Sequence, residues 1–127
     1  MHKVMLMMDR RFLAQTLMKS LKNDERFSFF AEYDYQNAAL VAGAVQPDIA
    51  VVEVPESKAW RAMDYLTVCS GIRSASPHCR VLFFCPENSE DSRSVAIAGK
   101  RSGAIDDFIF FDTSWNYLVS KLEALSQ

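Results

Sequence analysis

No stretch of this 127-residue sequence approaches the roughly 20 consecutive apolar residues of a membrane span, and its N-terminus lacks a signal-peptide pattern. The expectation is therefore a cytoplasmic chain. Basic charge is not in excess either. Fourteen Lys and Arg against 16 Asp and Glu leave a net charge of −2, without the electrostatic footprint of a nucleic-acid binder. No basic run suits an anionic membrane surface. Cysteine is scarce and odd in number: Cys69, Cys79 and Cys85 stand at no metal-binding spacing and read as reduced thiols. The two histidines, His2 and His78, lie far apart at a terminus and in a loop, so neither points to catalysis. Repeats, low-complexity tracts and linkers are absent.

What is present is an ordinary apolar fraction, 50%, with 24% charged residues, enough for one domain over 1–127. A chain of this length buries about two-thirds of its unfolded surface in a single core. The most informative stretch is Pro47 to Pro55. Ile49, Ala50, Val51 and Val52 run without alternation, as in a strand covered on both faces, and Glu53 ends the run. Pro47 cannot donate to a ladder and belongs before the strand, whereas Pro55 marks its end.

Lys3 to Met8 is a second continuous apolar run, ending at Asp9 and followed by Arg10 and Arg11. Phe27 to Ala31, Arg80 to Cys85 and Phe108 to Phe111 supply three more strands. Between them lie helical patterns over 12–22, 36–45, 58–73, 89–102 and from Trp115 onward. Ser89 with Glu90 and Asp91 caps the fourth helix, Gly103 stops it, and Asp112-Thr113-Ser114 caps the last. Trp60 and Trp115, at helical spacing, are expected to pack between helix and sheet. Five strands alternating with five helices predict an α/β protein of three layers. Its five-stranded parallel sheet, in order 2-1-3-4-5, has helices on both faces. Sites on such a sheet lie at the C-terminal ends of the strands, which here means Asp9, Glu53, Cys85 and Phe111.

In register, these pieces resemble a response-regulator receiver domain of the two-component systems. The matching segments are Lys3–Asp9, Pro47–Glu53, Ile72-Arg73 before Pro77, Val81–Cys85, Gly103-Ala104 and Phe108–Ser114. The last of these is similar to receivers that precede a helix-turn-helix output domain. The resemblance implies a phosphoacceptor aspartate on the third strand, a pair of acids for Mg²⁺ on the first, a hydroxyl on the fourth and a lysine on the fifth. Here those positions hold Glu53, Met8 beside a lone Asp9, Cys85 and Phe111, with Asp112 where a proline usually follows. Mg²⁺ wants hard oxygen ligands in near-octahedral array, and phosphoryl transfer depends on charge neutralisation. With one acid a thioether and the lysine gone, the expectation is a degenerate receiver that is not phosphorylated. It is further expected to hold no metal or cofactor, to be no enzyme, and to act in signalling or transcription regulation through protein contacts.

Two readings of Glu53 stay open. It stands in for a phosphoaspartate, or it is a carboxylate that is solvated or paired with Arg10 or Arg11. The second is preferred because the hydroxyl and lysine that would sense the mimic are missing. Arg10 or Arg11 is expected to fold back over Glu53 in the metal's place, since a guanidinium remains charged at any relevant pH. Cys85 is expected to be inert and half-buried, its pKa raised by the two neighbouring acids. The resemblance also implies a partner or dimer face on the fourth helix, fifth strand and fifth helix, drawing on Arg93, Ile97, Lys100, Phe110, Tyr117, Lys121 and Ala124, without direct nucleic-acid contact. Other readings are residual phosphorylation or metal binding, a stand-alone adaptor, and a small-ligand-binding wound domain. Against a flavodoxin-type phosphate cradle, Met8 to Phe12 offers neither glycine nor hydroxyl. Against a cysteine nucleophile, no histidine follows Cys85.

Overall fold

The computed structural model describes residues 1–56 and 61–127; Trp60 and the expected start of a helix at Lys58 lie outside the described residues. The elements, in chain order, are β1 (His2–Met7), α1 (Arg11–Leu21), β2 (Phe27–Glu32), a 3-10 turn (Tyr35–Asn37), α2 (Ala38–Val45), β3 (Ile49–Glu53), α3 (Ala62–Ala75), β4 (Arg80–Cys85), α4 (Glu90–Ser102), β5 (Asp107–Phe110) and α5 (Trp115–Leu125). The strands form one parallel sheet in the order β2-β1-β3-β4-β5, as the alternation of patterns predicts.

The unbroken apolar runs divide by the two-residue period of a strand. Met5, Met7, Ala50, Val52, Val81, Phe83 and Cys85 face the layer that includes Ala38 and Ala42 of α2, Tyr65, Cys69 and Ile72 of α3, and Val95 and Ala96 of α4. Their neighbours Val4, Leu6, Met8, Ile49, Val51, Leu82, Phe84 and Ile109 face Ala14 and Leu17 of α1 and Leu118 and Leu122 of α5. Strands β1, β3 and β4 therefore need apolar residues at both parities, which is why their runs show no polar alternation.

Caps set the element ends. Ser89 accepts the Ser92 N–H at 3.1 Å, and Gly103, at φ 83°, closes α4 in the left-handed region that glycine adopts without strain. The expected 36–45 helix opens as a 3-10 turn because Asp34 accepts the Gln36 N–H at 3.0 Å. Helix α3 begins at Ala62, with the Arg61 N–H donated to Asp64 at 2.8 Å. One expectation is corrected: Trp115 is not helix–sheet packing but 40% exposed. It is the first residue of α5, and Leu118 and Leu122 do the packing.

Candidate functional site

The register brings the strand ends level. Glu53 pairs with Phe84 across β3 and β4, the Val54 N–H donates to the Phe84 carbonyl at 2.7 Å, and the Phe111 N–H to that of Cys85 at 3.1 Å. The run from Val4 to Met8 keeps its strand parity through the last residue, so the Met8 side chain turns into the α1/α5 layer, fully buried. It contributes to the core and presents nothing to the sheet edge.

Glu53 is the centre of that edge and is 0% exposed. An ionised carboxylate enclosed to that degree is tolerated only when its oxygens are satisfied. Oε1 accepts the backbone N–H of Asp9 at 2.9 Å and that of Arg10 at 3.1 Å. Oε2 accepts the Arg10 Nε–H in a close ion pair. The loop after β1 thus wraps the carboxylate with two backbone donors and one guanidinium. Arg10 lies in turn over the Phe111 ring, 4.4 Å from its centroid, and Phe111 meets Phe84 edge-on at 5.0 Å. An aromatic face holds a guanidinium favourably, so Phe111 locks the cation where it stands. Arg11 does not take part: its guanidinium sits 4.3 Å from the Tyr33 ring. Asp9 reaches Glu53 through its backbone alone, its side chain being exposed.

Behind Glu53 lies Tyr35, whose hydroxyl donates to the Glu53 backbone carbonyl at 2.7 Å and whose ring meets Tyr65 edge-on at 5.1 Å. Burial raises the Tyr35 hydroxyl pKa, and the nearby charge of Glu53 adds to the rise, so it stays a donor. Sequence reasoning gave Tyr35 no role. The two groups are 18 residues apart, and nothing local announces their contact.

Cys85 is corrected in two respects. It is fully buried rather than half-buried, with its Sγ donating to the Ile109 carbonyl at 3.6 Å. Burial is the main reason its thiol is pushed up to about 12, and the acid that adds to this is Glu87, not Asp9 or Glu53. A thiol held protonated is a poor nucleophile.

The second candidate region is the outer side of α4, β5 and α5. Arg93, Ile97 and Lys100 are exposed on α4, and Tyr117 and Ala124 on α5, Ile97 being 44% and Tyr117 50% exposed. Asp107 joins the elements, accepting from Lys100 at 3.1 Å and from Lys121 at 2.6 Å. Burial acts to raise the Asp107 pKa, but Lys121, the Phe108 N–H and Lys100 together outweigh it and hold the carboxyl below its usual range. Lys121 lies 5.4 Å from the centroid of the Tyr117 ring. Phe110 and Lys121 are partly buried, Phe110 packing against the core on the α4 side.

No protein-family model matches the chain, and no curated protein matches its sequence. Solved structures do. A DNA-binding response regulator of the LuxR family from Staphylococcus aureus superposes with a TM-score of 0.79 at 15% identity, covering 100% of both chains. The receiver domain of a Francisella response regulator gives 0.76 at 18%, over 99% of this chain and 97% of that one. The fold is the receiver fold of response regulators. An adenylate cyclase from Rhodopirellula baltica superposes with a TM-score of 0.81 at 16% identity, over 98% of this chain and 87% of that one. A likeness at such identities fixes the fold alone, and the chemistry has to come from the residues.

Those residues do not fit the Mg²⁺ that a working receiver fold would bind. Met8 is turned into the core, both Glu53 oxygens are taken, and a guanidinium stands on the carboxylate. Among the described residues, no group of three or more His, Cys, Asp or Glu is arranged to hold a metal ion. No helix among them is long and apolar enough to cross a membrane.

Proposed function

We propose that this receiver fold works without phosphorylation, as a response-regulator-like domain that passes signals, including to transcription, by contact with another protein or a second copy of itself. In this reading it catalyses no reaction, holds no cofactor and does not touch nucleic acid directly. The observation that carries the reading is the Arg10–Glu53 pair under Phe111. A phosphoacceptor must offer a free carboxylate oxygen, a metal to neutralise the incoming charge, and room for three phosphoryl oxygens. Here the acceptor is enclosed and hydrogen-bonded at both oxygens, and the neutralising cation is already in place.

The contact surface in this reading is the α4-β5-α5 face. Tyr117 and Ile97 supply exposed apolar area, and the Lys100–Asp107–Lys121 bridge and Arg93 form a polar surround. Aromatic centres within polar rims are what protein interfaces favour. Incubation with acetyl phosphate and Mg²⁺, followed by intact mass, tests the proposal. An unchanged mass is expected, and the gain of one phosphoryl group on Glu53 or Asp9 would overturn it.

A further inference from the structure

Helices α2 and α3 meet through small residues. A Cβ on Gly71 would touch the Ala39 Cβ at 3.6 Å, and one on Gly43 would touch that of Ala75 at the same distance. Close approach of the backbones leaves a groove where the side chains grow longer, bounded by Tyr35, Gln36, Ala39, Asp64, Thr67 and Gly71, with a volume of about 480 Å³. That is the size of a small-molecule site. Its wall is preorganised: Tyr35 is pinned by its bond to the Glu53 carbonyl and by the Tyr65 ring. The same two helices each carry a large exposed apolar side chain, Leu40 on α2 at 74% and Met63 on α3 at 55%.

Charge decides the occupant. Asp64 is the one charged residue among those described as lining the groove, and no cation pairs with it among the described residues. Its Oδ2 accepts the Arg61 N–H, which aims the carboxylate without neutralising it. We infer that the groove between α2 and α3 is a binding site for a small aromatic or apolar molecule bearing one positive charge. The ring lies between Tyr35 and the Ala39–Gly71 floor, and the cation faces Asp64. Because Tyr35 also holds the end of β3, occupancy is transmitted to the Glu53–Arg10 pair. This inference is independent of whether the domain is phosphorylated.

The test is titration of the ¹⁵N-labelled chain with three molecules sharing one ring: tryptamine, 3-methylindole and indole-3-acetate. Saturable shifts are expected at Ala39, Thr67 and Gly71, tightest for tryptamine and weakest for the acetate. Asp64→Asn keeps an oxygen for the Arg61 N–H and should weaken tryptamine by about threefold while leaving 3-methylindole unchanged. The Arg10 Nε–H signal should move with tryptamine in the native chain and stay still in Tyr35→Phe. Absent or non-saturable shifts, or equal affinity for all three molecules, would overturn the site. Groove shifts without any response at Arg10 would overturn the link to β3.

Discussion

Glu53 and Asp107 are both carboxylates paired with basic side chains, yet the two regions around them are built on opposite terms. Glu53 is wholly enclosed and has one cation, two backbone donors and an aromatic cover. Asp107 lies at the start of β5, its side chain 16% exposed, between the half-exposed Lys100 and the more buried Lys121. Enclosure makes an interaction costly to disturb because the charge left behind has no water to turn to. Exposure makes it weak and replaceable. The first arrangement fixes a structure, whereas the second leaves a surface that another molecule can reorganise. In the function proposed above, the edge of the sheet serves as scaffold and the face of α4, β5 and α5 as the contact surface.

The comparison breaks most sharply at Arg10. Arg10→Ala should lower stability by about 2 kcal/mol, read as a reduced urea midpoint, since Glu53 would stay enclosed with only backbone donors. The figure lies below that for a fully buried pair because the Arg10 side chain is 48% exposed. Adding Glu53→Gln to that variant should recover part of the loss, because an amide carries no charge to orphan. Tyr35→Phe comes next, at about 1 kcal/mol, by removing one donor from a buried carbonyl.

How much of this was legible in the sequence follows the same division. The order and direction of the strands could be read from continuous runs such as Val4–Met8 and Ile49–Val52, because burial on both faces leaves an unmistakable lack of alternation. The positions at the sheet edge followed from the strand ends. Which arginine meets Glu53 could not be read, since Arg10 and Arg11 differ by one step around a loop, and that step sends one to Phe111 and the other to Tyr33. Tyr35 was invisible for a related reason: its partner is a backbone carbonyl, which no side-chain pattern reports. The burial of Cys85 was underestimated because the parity of β4 turns it toward the α2/α3/α4 layer rather than toward the two acids.

The smallest effects belong to the partly exposed Lys121–Asp107 pair. Lys121→Ala should cost about 0.5 kcal/mol or less, and the cost should shrink further in high salt. Asp107 keeps its charge to lower pH in the folded chain than in the unfolded one. The stability its pairing adds is therefore present above the ordinary carboxylate range near pH 4 and is lost as pH falls through the folded value. Urea midpoints followed downward from pH 5 should fall less steeply in Asp107→Asn than in the native chain. An equal slope would place the acid sensitivity elsewhere.

The proposed function turns on the Arg10 guanidinium holding Glu53 where a working receiver would need a metal. The direct measurement is the Arg10 Nε–H signal in a proton–nitrogen spectrum, recorded with and without excess Mg²⁺. A sharp signal, slow to exchange with water and unmoved by Mg²⁺, is expected. A signal exchanging as fast as that of a solvated arginine, or displaced as Mg²⁺ is added, would contradict it.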